Sequence, residues 1–457
     1  ARSLSDETQS TEARLRTATE IRDSIEIVHT SEYANFLKAF FPVFSKILQA
    51  RTAQFEDCPE QKLRNVLLEI LNRLPHNETL RKYVAELLGL SMHILNTDNE
   101  ENSLICLRII FDLHKNYRPT LDAYAQPFLD FVRTLYHNFK GMVTANFGPN
   151  FVGLGQAAAA PAAAGAQTAG AEAAPQAPAA AGASGPAQDG GFGGIDADKP
   201  KAGVLVRSTD SFKVLIECPL IVMFLFQLYP KYIQSNIQVL LPLMVASIDP
   251  LPGPASATVT PARATPAMQD YVAAQVKTVY FLSYLLRQFS EIMRPHQEAI
   301  PKAVVNLLRT CPGDAIAIRK ELLVATRHIL ATDFRTGFFA QKDILLDEKV
   351  LVGEGRTALQ TLRPFAYHFL AELVHHVRLE LKIPQLSKII YMFSLNVHDP
   401  SLSYSMQTTS IKLLLNLIEG IIHRNDAEGK GRVLLVRIMD TIVNKFVTLK
   451  DRIPKLL

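Results

Sequence analysis

The residues in this 457-residue chain best suited to chemistry do not assemble into a recognisable reactive group. His375 and His376 are adjacent, and His368 lies one or two helical turns before them. Neighbouring residues on a helix point about 100° apart and do not face each other. No carboxylate completes a ligand set, so they read as ordinary helix histidines, one of them partly buried. Val352-Gly353-Glu354-Gly355 lacks the third glycine, the lysine and the preceding strand of a phosphate loop, and reads as a turn before a helix. His423-Arg424-Asn425-Asp426 and Asp333-Phe334-Arg335 imitate two kinase motifs, but in the wrong order and without the catalytic-loop Asn or the glycine after Phe334. Cys58, Cys106, Cys218 and Cys311 are far apart, give no zinc spacing, and read as small core residues in a reducing compartment. No catalytic residue, cofactor or metal is expected.

A more regular signal is an apolar–basic pair, early in its helix at Leu362-Arg363, that opens one apolar run after another. It occurs at Ile21-Arg22, Leu63-Arg64, Leu107-Arg108, Phe212-Lys213, Val276-Lys277, Ile318-Arg319, Leu362-Arg363 and Ile411-Lys412. Each basic group has two readings. Its stem can cover the core while its head meets a carboxylate of the neighbouring unit. Alternatively the heads line a groove and attract an acidic partner. Arg64, Arg108 and Lys412 are the candidates for the second role. For any single residue the first reading is the default, because charges on helices usually serve surface packing.

The elements that carry these pairs are helices. In Thr357 to Arg378, Leu362, Phe365, Phe369, Leu370, Leu373 and Val377 form one apolar stripe at three- and four-residue spacing. Pro364 is compatible with a helix there, since a first turn needs no donor from it. The pairs are separated by 42 and 44 residues at the start of the chain and by 42, 44 and 49 near its end. About 20 residues after most pairs a second helix begins, as at Tyr33, Glu78, Leu121, Tyr232, His296, Pro384 and Arg432. A helix pair every 40 to 47 residues is the period of HEAT or armadillo arrays. The expected fold is all-α: a solenoid of about eight helix pairs, each stacked on its neighbours.

Two stretches break the period. Residues 153–203 are dominated by Ala, Gly, Pro and Gln and are expected to be a disordered linker. Residues 249–268 carry five prolines and read as a shorter loop. The expected organisation is therefore helix pairs in 1–152, one pair in 204–248, and more pairs in 269–457. Thr97 to Asn102 is a polar turn whose Asn and Asp can cap the next helix, and Asp314 is placed to cap another.

Composition narrows the function. With 48 basic and 44 acidic residues the net charge is only +4, which does not suit a whole-domain phosphate binder. The most apolar run, Pro219 to Tyr229, is too short to span a bilayer and reads as a helix buried on all sides. The chain starts without Met and stops at Leu457 just after an apolar helix, as expected for a piece of a longer polypeptide.

Several blocks then carry a specific resemblance. Leu74-Pro75-His76-Asn77-Glu78, Thr97-Asp98-Asn99-Glu100-Glu101-Asn102 and Cys106-Leu107-Arg108-Ile109-Ile110 resemble the N-terminal region of TRRAP-type proteins. So do Leu362-Arg363-Pro364-Phe365-Ala366-Tyr367, Leu373-Val374-His375-His376-Val377-Arg378 and Ile411-Lys412-Leu413-Leu414-Leu415-Asn416-Leu417. The Ala/Pro-rich insert resembles a filamentous-fungal version. The resemblance implies an N-terminal HEAT fragment of a giant PI3-kinase-related pseudokinase. It further implies a nuclear, non-catalytic scaffold of SAGA and of the histone H4 acetyltransferase complex. Its expected partners are acidic transcription activation domains and other coactivator subunits, with no sequence-specific nucleic acid binding and no membrane. The competing reading is an importin-like cargo-binding solenoid. A carrier of basic cargo would offer an acidic concave face with Trp and Asn ladders, and this chain has no Trp.

Overall fold

The computed structural model describes residues 1–24, 32–50, 52–118, 121–147, 204–249, 265–353, 355–423 and 429–452. The linker assigned to 153–203 and most of the loop assigned to 249–268 lie outside these residues. Fifteen helices of twelve residues or more carry the described fold. In chain order they are α1 (Thr11–Asp23), α2 (Tyr33–Ala50), α3 (Pro59–Asn72), α4 (Val84–Thr97) and α5 (Glu100–Asn116). Next come α6 (Ala125–Phe147), α7 (Phe212–Leu228), α8 (Ile233–Ile248), α9 (Pro266–Gln288) and α10 (Ala299–Thr310). The last are α11 (Ile316–Leu330), α12 (Arg356–Val377), α13 (Ile383–His398), α14 (Tyr404–Ile422) and α15 (Lys430–Arg452). There is no strand among the described residues, only two isolated bridges.

The helices form two layers. In the first, α1, α3, α5, α7, α9, α11, α12 and α14 each pack on the next in the series. In the second lie α2, α4, α6, α8 and α10, then α13 and α15. After α11 three short helices, Thr336–Phe339, Lys342–Leu345 and Glu348–Val352, stand where a single second helix would be. Most apolar stripes face their neighbours, whereas α15 leaves Val433, Val436, Met439, Val443 and Phe446 exposed. Leu362, Phe369, Leu370, Leu373 and Val377 on α12, for example, are all fully buried. The result is the eight helix pairs that the spacing implies.

Some local readings are corrected. Pro364 lies well inside α12, not in its first turn, and Pro42, Pro219 and Pro242 likewise sit inside α2, α7 and α8. Packing of the stripe on both flanks overrides the lost backbone bond. α9 opens at Pro266, within the stretch read as loop, with Thr265 Oγ1 accepting from the Met268 amide at 3.3 Å. Asn99 caps α5 by accepting from the Asn102 amide, but α11 starts from Ala315 with no side-chain cap, so Asp314 does not play that part. The apolar run in α7 is not buried all round, since Leu220 is 54% exposed. No single described helix is long and apolar enough to cross a membrane.

Burial also governs titration. His114 is buried between α5 and α7, its Nδ1 3.1 Å from the Tyr229 hydroxyl, and burial pulls its pKa down to about 4. The unfolded chain would protonate this imidazole near pH 6.5, before the folded one does. Its contribution is therefore complete above about pH 6.5 and is lost as pH falls towards 4. Thermal melts are expected to drop over that window, and His114→Gln should flatten the drop; an unchanged slope would assign it to other groups. Leu370→Asp or Leu414→Asp, each at a position with no exposed surface, should cost on the order of 4 kcal/mol and melt the local pairs. Circular dichroism melts matching the parent would contradict the packing.

Candidate functional site

The basic residues of the apolar–basic pairs divide into those that tie repeats together and those left at the surface. Arg64 is 3% exposed and Asp98 has no exposed surface. Arg64 Nη2 and Nε donate to Asp98 Oδ2 at 2.5 and 3.0 Å, and Nη1 donates to the Leu48 carbonyl at 3.0 Å. Asp98 Oδ1 accepts from Asn102 Nδ2 at 3.0 Å, and Gln61 Oε1 accepts from Asn99 Nδ2 and Asn102 Nδ2 at 2.7 and 3.0 Å. The polar turn at 97–102 is thus a buried node joining α3, α4 and α5. Contrary to the sequence expectation for Arg64, its buried head is committed inside the frame and is not offered to a partner.

The segment that follows the linker closes over this node. Leu205 N donates to the Phe55 carbonyl at 2.7 Å and Glu100 N to the Val206 carbonyl at 3.0 Å. Ser208 donates twice, through N to the Asp98 carbonyl at 3.1 Å and through Oγ to the Leu95 carbonyl at 2.6 Å. Arg207 lies over the Phe55 ring at 5.0 Å. Lys213 Nζ, at the start of α7, reaches Glu100 Oε1 at 2.9 Å. Nothing in the sequence of 204–211 announces this strap, because its partners lie far back in the chain, at Phe55 and at 95–100.

Most other pair residues are ties as well. Arg22 Nη1 meets Glu69 at 3.1 Å, Lys277 meets Glu321 at 2.9 Å, and Arg363 Nη1 meets Asp399 at 2.7 Å. Arg319, 3% exposed, donates to the carbonyls of Leu308, Cys311 and Val350 and so anchors the irregular sixth pair. Gly353 has φ +79°, and a Cβ there would come within 3.2 Å of Arg319 Nε. The glycine pair therefore serves this turn.

Arg108 and Lys412 are the exceptions, both exposed and without an ion pair to any described residue. Arg108 borders a groove of about 380 Å³ with Asn72, Leu104, Phe111, Glu217 and Leu220. Lys412 borders one of about 220 Å³ with His368, Glu372, His375 and Thr409. Next to it a groove of about 590 Å³ runs along α11 and α12, lined by Arg287, Arg327, His328, Phe365 and, shared with the first, His368 and Glu372. The structure does not bring Arg64, Arg108 and Lys412 into one site. Arg287, Arg327 and His328 were passed over in the sequence. The signal was present: positions 287, 327, 368 and 412 recur at 40, 41 and 44 residues, a second file at the repeat period.

The histidines at 375 and 376 are both exposed, and no group of three or more potential ligands clusters among the described residues. Asp333–Arg335 is a single 3-10 turn with Phe334 buried, and 424–428 lie outside the described residues. Burial raises the thiol pKa of Cys106, Cys218 and Cys311.

Stacked helix pairs, bound side to side by charge pairs and opening into shallow inter-repeat grooves, define a HEAT-type α-solenoid. Residues 267–457 match the family model described as the Tra1 HEAT repeat central region. The chain is 40% identical over 97% of its length to "Probable transcription-associated protein 1" of Dictyostelium discoideum. It is 36% identical over 98% of its length to "Transformation/transcription domain-associated protein" of Homo sapiens. It is 28% identical over 97% of its length to "SAGA complex/NuA4 acetyltransferase complex subunit TRA1" of Saccharomyces cerevisiae. The chain belongs to the Tra1/TRRAP family. It spans only 10%, 11% and 12% of those three relatives. The resemblance points to an N-terminal position, whereas the matching family model assigns 267–457 to the central HEAT region.

Removing one partner of the Arg64–Asp98 pair strands a buried charge and is expected to cost about 3–5 kcal/mol, whether by Asp98→Ala or Arg64→Glu. Arg108→Glu and Lys412→Glu, at exposed positions, should change stability by no more than about 0.5 kcal/mol. Urea denaturation of the four variants checks this. Equal stability of Arg64→Glu and Arg108→Glu would overturn the division into ties and surface groups.

Proposed function

We propose that this chain is a non-catalytic scaffold segment of a nuclear coactivator subunit, acting within SAGA- and NuA4-type acetyltransferase complexes. In this reading its solenoid docks acidic transcription activation domains and contacts other complex subunits. Two relatives, from Saccharomyces cerevisiae and Schizosaccharomyces pombe, are named as SAGA and NuA4 complex subunits. The observation that carries the reading is the disposition of charge. Most pair cations are held by carboxylates or carbonyls within the helical frame, and the remaining ones, Arg108 and Lys412, border grooves that also carry apolar side chains. Acidic segments with scattered large apolar residues match such grooves. Contacts of this kind are weak singly and salt-sensitive, since exposed charges are screened over about 8 Å at physiological ionic strength.

The test is affinity purification of the tagged chain from nuclear extract with mass spectrometry. Acetyltransferase-complex subunits are expected in the eluate, and activator association should fall between low and high salt. Recovery of nuclear-pore proteins and basic cargo instead would favour the importin-like alternative and overturn the scaffold reading.

A further inference from the structure

We propose that the strap at 204–211 and an aromatic clasp beside it form a latch. Through it the two halves of the array, up to Phe147 and from Val204 on, recognise each other directly. Their stacking then does not depend on the covalent link between them.

The strap is bound as a short peptide would be. Antiparallel bridges join Val204 to Glu56 and Arg207 to Asn99, and the hydrogen bonds run to Phe55, Leu95, Asp98 and Glu100. Its side chains alternate. Val204 and Val206 are 55% and 39% exposed, Leu205 between them is half-buried, and Ser208 is 1% exposed. When an extended segment is added in this way, main-chain bonds supply affinity and alternate side chains supply specificity. Here the specificity lies in the Ser208 hydroxyl, spent on the Leu95 carbonyl, and in Arg207 over the Phe55 ring. A segment held by apolar burial alone could slide, because that force has no direction. An inserted hydroxyl and paired amides fix one register.

The strap passes this register to α7. Ser211, 2% exposed, donates through Oγ to Glu100 Oε2 at 2.8 Å and accepts from the Val214 amide at 3.4 Å, which caps α7. Lys213 takes the other oxygen of Glu100. The start of α7 is therefore set by the first residue of α5.

The other side of the break is pinned at the same place. Phe147 closes α6, and its ring lies 6.3 Å from Phe212, the first residue of α7, and 5.6 Å from Tyr271 on α9. Phe139 meets the same two rings at 5.7 and 5.9 Å. The described chain thus stops and resumes at adjoining points of one aromatic cluster. The entropy cost of closing a loop grows only with the logarithm of its length. Contacts at the two ends, and not the link, then decide whether the halves stay stacked.

The experiment uses the full 457-residue chain with a recognition site for a sequence-specific protease placed within 153–203. After complete cleavage the halves are expected to co-elute on size exclusion and to melt as the uncut chain does. Leu205→Pro/Ser208→Ala removes the amide donor to Phe55 and the hydroxyl donor to Leu95. Once cut, this variant should show an apparent Kd between halves raised by about tenfold or more. Val204→Ala, at an exposed side chain, should leave that Kd unchanged. Separation of the parent's halves on cleavage would overturn the latch, and so would equal Kd values for parent and strap variant. Hydrogen exchange on the uncut parent is a second readout that needs no variant to fold. The amides of Leu205, Ser208 and Glu100 should be protected together with those of α5 and α7. Exchange of these three at the rate of an open peptide would equally overturn it.

Discussion

A helix pair of this chain cannot bury its own apolar stripe, and everything else follows from that constraint. Each first-layer helix between the two ends passes part of its stripe to the helix before and part to the helix after. Stability therefore resides in contacts between repeats more than within them. Apolar surfaces slide easily over one another, because the hydrophobic effect has no direction. Something directional must fix the register, and the cation-to-carboxylate ties are suited to it. Arg22 to Glu69, Lys277 to Glu321 and Arg327 to Glu372 join successive first-layer helices, while Arg64 to Asp98 and Arg363 to Asp399 hold a first-layer helix to the C-terminal end of its own partner helix.

These ties differ in weight. Lys277–Glu321 and Arg327–Glu372 are well exposed and add little to stability. Arg64–Asp98 is buried, and desolvation offsets much of its Coulomb attraction. Its importance is positional: guanidinium, carboxylate and two asparagine amides satisfy one another only in one arrangement of α3, α4 and α5. The strap at 204–211 then uses the same turn as a template, so the chain re-enters the array after its long insert at a defined place. Arg319 acts similarly where regular helix pairing lapses, collecting carbonyls that would otherwise lack donors.

Once most cations are committed to the frame, those that remain become informative. Arg108 and Lys412 look like Arg64 in sequence, with an apolar residue before each. They differ because neither forms an ion pair to a described residue, although Glu217 borders the Arg108 groove and Glu372 the Lys412 cavity. Lys412 instead continues a second file with Arg287, Arg327 and His368, set later along the same helices, where the frame is already secured.

The sequence by itself determined the helices, their pairing and their count. Apolar spacing and repeat period are local properties that any stacked arrangement must honour. The polar turn at 97–102 was legible as a cap, since Asn99 needs only the amide three residues on. The all-helical class and the family resemblance were legible for the same reason. Only the tertiary structure decided which basic residue is buried, because that depends on a carboxylate dozens of residues away. Arg64 and Arg108 have the same local context, yet Asp98 faces one and solvent faces the other. The strap, the mid-helix position of Pro364, the exposed flank of α7 and the groove shared by four helices were likewise hidden. Each is set by which surfaces meet across repeats, and a linear pattern does not record that.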